Sequence, residues 1–186
     1  MKIKALDVEK LITERLLLIP YTINICEEIL NNDYTSLISM GLKTGQNWPD
    51  EDVLETLPRI INNLESVEEP TGFESWMIVK KETLEVIGDL GFKGFNFEEN
   101  NADIGYGIIK EERRKGYAEE AVKELINWAS SNGFLKEITA KCLIGNVNSI
   151  NLLTKFNFLR IKTDHEMIYW TLKNENFVHK KKITER

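Results

Sequence analysis

A chain of 186 residues can bury one substantial core and is too short for two full-sized domains, so a single domain over 1–175 is expected, followed by a polar tail over 176–186. The formal net charge of -6, without a broad basic stripe before the tail, argues against a nucleic-acid partner and suits a cationic ligand such as an amine. Cys26 and Cys142 have neither CxxC spacing nor a neighbouring His pair, which argues against a disulfide framework and a zinc site; no metal is expected.

The opening residues carry Asp7, Glu9, Lys10, Glu14 and Arg15, too many charges for a signal peptide or a membrane span, so a cytoplasmic location with no membrane partner is expected. Glu14 to Pro20 alternates around Leu16 and Leu18 and reads as a strand ending at a proline. Thr22 caps a short helix. From Asp50 to about Glu65, Val53, Leu54, Leu57, Ile60, Ile61 and Leu64 recur at helical spacing, with Pro58 as a kink site. Then FESWMIVK, LEVIGDLGFKGF and ADIGYGIIK, separated by turn residues, predict an antiparallel meander. Tyr117 to Ser131 is an amphipathic helix with Asn132-Gly133 as a left-handed stop. Glu137 to Leu143 reads as a strand, Asn146 to Phe156 as a helix, and Leu159 to Lys162 and Met167 to Leu172 as closing strands. The order β-α-α-β-β-β-α-β-α-β-β predicts an α+β sandwich: a mixed, mostly antiparallel sheet of about seven strands, four helices and one parallel crossover.

The segment IIKEERRKGYAEEA sets a buried strand, a charged loop with one glycine and a helix start in succession. A glycine there lets amides turn inward, and the helix N-terminus adds unpaired N–H groups and about half a positive charge, a cradle for phosphate. Arg113, Arg114 and Lys115 reverse the sign of an otherwise acidic chain at that point. A plain turn with solvated charges is the competing reading, and the phosphate motifs GxxxxGK[ST] and GxGxxG are both absent.

Arg113-Arg114-Lys115-Gly116-Tyr117-Ala118 resembles the [RQ]xxGx[GA] signature of the GNAT acetyltransferase superfamily. NVNSINLLTKFNF is similar to that superfamily's second cofactor motif, and TERLLLIP to the opening of its ribosomal-protein alanine acetyltransferase (RimJ/RimL-type) branch. The resemblance implies an N-acetyltransferase that takes acetyl-CoA and an amine-bearing acceptor, a protein N-terminus or a small molecule, in a ternary complex; relatives of this type are often homodimers. A catalytically idle acetyl-CoA-binding module is the reading from another class. Carried over by position, the resemblance gives the amides of Arg114, Gly116, Tyr117 and Ala118 to the pyrophosphate, and the backbone of Ile108 and Ile109 with the Asn146 side chain to the pantetheine arm. Asn157 replaces the usual glycine of the second motif, and asparagine tolerates the left-handed region.

Acetyl transfer from a thioester needs a neutral amine, a donor to the developing oxyanion and a fate for the thiolate. At pH 7, neutralising a lysine-like amine costs roughly 4.6 kcal/mol and an α-amine only about 1.4 kcal/mol, so the strength of the base is a clue to the amine. Asp103 alternates with Gly105 and Gly107 on one strand face, at a position where some relatives carry a glutamate base, and is the candidate base; a solvated strand-start residue is the alternative. Leu153 stands where many relatives have a tyrosine acid, which leaves Ser149 as the nearest hydroxyl, with helix capping as its other reading. Tyr169 could serve instead, but as a strand aromatic it reads as core; His165 and His179 read as surface residues. Trp48 follows a glycine-containing loop where the family builds its acceptor wall, and the other tryptophans read as core.

Overall fold

A computed structural model describes Asp7 and residues 9–173; His179 and the tail expected over 176–186 lie outside the described residues. The chain runs β1 (Leu11–Ile12), β2 (Leu16–Pro20), α1 (Ile23–Leu30), α2 (Thr35–Ser39), β3 (Lys43–Thr44), α3 (Glu51–Glu65), β4 (Ser75–Lys80), β5 (Glu85–Asn96), β6 (Asn101–Ile108), α4 (Tyr117–Ser130), β7 (Glu137–Leu143), α5 (Val147–Lys155), β8 (Leu159–Thr163) and β9 (Met167–Lys173). A 3₁₀ turn, Lys110–Glu112, joins β6 to α4. The expected α+β class holds, with additions too short to carry a periodic signal. β1 and β3 are two-residue strands, and α2 forms where Glu28 accepts the Ser36 N–H and Asp33 that of Thr35.

Helix boundaries follow side-chain chemistry. Thr22 accepts the Ile25 N–H at 3.2 Å and Asp50 the Val53 N–H at 3.1 Å, each offsetting an orphan donor of a first turn. α3 continues through Pro58 as one element. The left-handed stop expected after α4 is not formed. Ser131 closes the helix at φ -70°, and the Asn132 amide donates to the carbonyls of Trp128 and Ala129, so side-chain capping replaces the backbone turn. α5 does end left-handed: Asn157 has φ 61°, the Phe158 N–H bonds Leu153 and the Asn157 N–H bonds Thr154, as in a Schellman motif.

One sheet carries the order β1-β2-β4-β5-β6-β7-β9-β8, with β3 paired to β5. Leu90 and Phe92 alternate with Asp89 and Gly91, so β5 turns an apolar row to one face and a carboxylate with a glycine to the other. Trp76, fully buried, meets Trp128 of α4 at 5.6 Å between ring centroids, and Phe73 packs on Phe92, Phe95, Trp128 and Phe134 at 5.1–6.0 Å. Such pairs contribute about 0.5–1.5 kcal/mol each beyond their area. Trp48, expected at an acceptor wall, is 4% exposed and joins this core; its neighbour Asn47 bonds Glu111 instead.

The parallel crossover β6-α4-β7 forms as expected, but the two strands pair only from Asn101↔Glu137 to Ile104↔Ala140. Beyond that point β6 stays with β5 as far as Ile108↔Gly88, while β7 stays with β9 as far as Leu143↔Met167. The strands therefore part, and a wedge opens in mid-sheet. Successive residues of a strand turn their backbone groups to opposite edges. Since the Ile109 N–H bonds the Ile87 carbonyl, the backbone groups of Ile108 and Tyr106 face the wedge.

Candidate active site

The strand-loop-helix junction expected to cradle an anion follows β6 beyond this wedge. Arg114 has φ 63° and Gly116, the N-cap of α4, has φ 82°, a conformation natural to glycine and one that leaves no side chain over the helix end. Among the described residues no acceptor bonds the N–H groups of Arg114 through Glu119, which leaves six successive amides open at the positive end of the α4 dipole. Two first-turn acids would repel an anion, and both are neutralised: Glu119 by Lys155 at 2.7 Å and Glu120 by Arg15 at 2.7 Å.

Arg15 is a cradle residue that sequence reasoning missed. Its Nη1 donates to the Lys115 carbonyl at 2.9 Å, its guanidinium lies 4.7 Å from the Tyr117 ring centroid, and Nη2 is 3.2 Å from where a Cβ on Gly116 would sit. The signal was present in TERLLLIP, but only tertiary contact brings it beside a loop 100 residues away.

The predicted cofactor residues do not all act alike. Arg113 donates from Nε to the Ile108 carbonyl at 2.7 Å and so buttresses the strand end; Lys115 pairs with Glu112 at 2.8 Å, and Arg114 is exposed. Ile109 has spent its N–H on Ile87, so of the two isoleucines only Ile108 presents its N–H to the wedge. Asn146 caps α5, its Oδ1 accepting the Ser149 N–H at 3.0 Å, and its amide hydrogens have no partner among the described residues. The cap of α5 is thus Asn146, and the Ser149 side chain is released from that duty.

On the other face, a cavity of about 360 Å³ opens between α3 and the β5–β6 ladder and reaches Tyr106, Ile108 and Arg113 at the wedge. Gly91, Gly105 and Gly107 line it beside Asp89, whose Oδ1 comes within 3.3 Å of where a Gly107 Cβ would stand. Asp89 is half-buried, with the cavity on its open side. Burial, reinforced by Asp50 and opposed by Arg59, raises its pKa to about 6. Tyr21, fully buried, is pushed well above the usual phenol range by burial and by Asp89.

Sequence reasoning placed the carboxylate elsewhere. Asp103 sits where β6 and β7 are still paired, opposite Thr139, with Oδ2 2.8 Å from Lys93 and 3.9 Å from Lys141, and it lines a separate depression with Phe97 and Asn101. Its charge is compensated and it does not line the cavity. The overlooked clue to Asp89 was an acid in the middle of an apolar strand, VIGDLGF, a costly feature without a use. His165 is exposed and Tyr169 donates to Asp164 at 2.8 Å, so neither joins the site. Among the described residues no group of His, Cys, Asp and Glu could hold a metal ion, and no helix is long and apolar enough to cross a membrane.

Residues 15–159 match the model of the acetyltransferase (GNAT) domain. The chain is 35% identical over 158 residues to an uncharacterized N-acetyltransferase, YjdG, of Bacillus subtilis (strain 168), covering 85% of this chain and 94% of that protein. In fold it is similar to RimL, a ribosomal L7/L12 alpha-N-protein acetyltransferase solved with coenzyme A, at TM-score 0.62 and 14% identity, covering 88% of this chain and 96% of that one. It is also similar to a spermidine N-acetyltransferase chimera, SpeG of Vibrio cholerae with hSSAT, at TM-score 0.61 and 12% identity, covering 87% and 97%.

Proposed function

Because the chain belongs to the GNAT acetyltransferase family, we propose that this acetyltransferase modifies the α-amine of a protein N-terminus, with Asp89 as the base that receives the amine proton. The observation that carries the reading is a half-buried carboxylate, without a salt-bridge partner among the described residues, on the glycine-cleared floor of a cavity that meets the wedge. A base of pKa about 6 takes a proton from an α-amine of pKa about 8 at a cost of about 2.7 kcal/mol, and from a lysine-like amine of about 10.4 at about 6 kcal/mol. The weaker amine is the one this base can serve. Glu111, Asp52 and Glu55 are exposed, Asp103 is held by Lys93, and Asp50 is engaged in capping α3.

The residues present fit coenzyme A: the amides of Arg114 to Ala118 for the pyrophosphate, and the Ile108 backbone and the Asn146 amide for the pantetheine arm. The bound thioester supplies the acetyl group. Three carboxylates at the cavity mouth, Asp50, Asp52 and Glu55, favour a second reading, a polyamine acceptor held by charge. Buried, unpaired Cys26 and Cys142 suit a reducing cytoplasm. An acetyl-CoA turnover screen over peptide N-termini, polyamines and amino-sugars tests the assignment: peptide N-termini should give the highest kcat/KM, and a polyamine preference above tenfold would transfer it to the second reading.

A further inference from the structure

Leu153 leaves the second cofactor motif without a phenol, yet a phenol reaches the wedge from the opposite wall. Tyr106 is the first residue on its face of β6 beyond the last rung shared with β7. Its hydroxyl is buried and makes no hydrogen bond of normal geometry among the described residues. A buried donor left in that state costs about 1–3 kcal/mol, so its place in the fold calls for a partner. Three elements converge on it. β7 brings Cys142, whose sulfur already accepts the Trp170 indole N–H at 3.3 Å; α5 brings Ser149; and β6 brings the phenol itself. Burial raises the Tyr106 pKa, the facing Ser149 hydroxyl lowers it and Cys142 raises it, so the phenol stays protonated at neutral pH and acts as a donor. Ser149, whose capping duty is taken by Asn146, is the hydroxyl that acts on it from α5.

We infer that Tyr106 is a positioning residue: its O–H donates to the Ser149 oxygen and thereby aims the Ser149 O–H into the wedge, toward the thiolate that acetyl transfer releases. The inference rests on the proposed function, because it needs coenzyme A in the wedge. In the transfer the amine nitrogen bonds the carbonyl carbon, the C–S bond breaks, and sulfur keeps the electron pair. The amine proton goes to Asp89. Ser149 and Tyr106 keep their protons and contribute hydrogen bonds only.

The test reads the ultraviolet thiolate absorbance of coenzyme A bound to the whole protein at mildly alkaline pH, for wild type, Tyr106→Phe, Ser149→Ala and the double variant. A hydrogen bond to a charged group changes the thiolate-to-thiol ratio by about tenfold or more, so both single variants should lower it by that factor and the double variant by no more than either alone. Calorimetric binding of coenzyme A and an unchanged melting temperature show that each variant still folds and loads. A Tyr106→Phe ratio equal to wild type, or additive losses in the double variant, would overturn the positioning role while leaving the acetyltransferase reading intact. Failure of the folded wild type to bind coenzyme A would remove both together.

Discussion

Replacing Asp89 by asparagine should make the protein more stable and far less active at neutral pH. The folded-state pKa is raised to about 6 from the ordinary value of 3.8, chiefly by burial. A raised carboxyl pKa means that the native state binds more protons than the unfolded chain between these values. Stability is then fully present below about pH 4 and is lost as pH rises through about 6. A shift of about 2.2 units corresponds to about 3 kcal/mol, an upper bound because water in the cavity screens the charge. Asparagine keeps the shape and carries no charge, so Asp89→Asn should recover up to that amount at pH 7 and little at pH 4. At about 2–4 °C per kcal/mol, the melting temperature should rise by several degrees at neutral pH. Over the same interval kcat should fall by roughly a hundredfold or more with acetyl-CoA affinity unchanged, since the cradle lies on other elements. The wild-type rate should climb through about pH 6 as the base ionises, and the variant should lose that limb. Thermal melts from pH 4 to 8 paired with steady-state kinetics check both halves. A variant less stable than wild type at pH 7, or one with wild-type kcat, would refute the reading of Asp89 as an uncompensated, half-buried base.

Gly116→Asp should weaken coenzyme A binding by more than tenfold in a folded protein, because it puts a negative side chain over the α4 N-terminus at φ 82° and against Arg15; calorimetry reads this directly. Asp103→Asn should leave kcat within about twofold, since its carboxylate is compensated by Lys93 and lies off the cavity; a loss of a hundredfold would return the base role to that residue.

The sequence by itself determined what depends on neighbours along the chain. Strand alternation at Leu16 to Pro20, helical spacing from Val53 to Leu64 and the strand-loop-helix order around Gly116 are local patterns, and hydrophobic burial converts them directly into elements. The strand-loop-helix junction was legible for the same reason, since a helix N-terminus and its preceding glycine are contiguous. Tertiary structure alone decided which distant groups meet. Asp89 and Asp103 are both strand carboxylates in glycine-containing runs, and only the sheet register separates them: one faces α3 across cleared space, whereas the other falls beside Lys93. Arg15 reaches Lys115, and Tyr106 faces Ser149, because β2, α4 and α5 are packed around a wedge whose existence depends on where two pairing ladders part. Local propensity fixes the dihedral angles of a segment, but the partner of a side chain is set by how whole elements bury their apolar faces against one another, and that sum is not written in any short stretch of sequence.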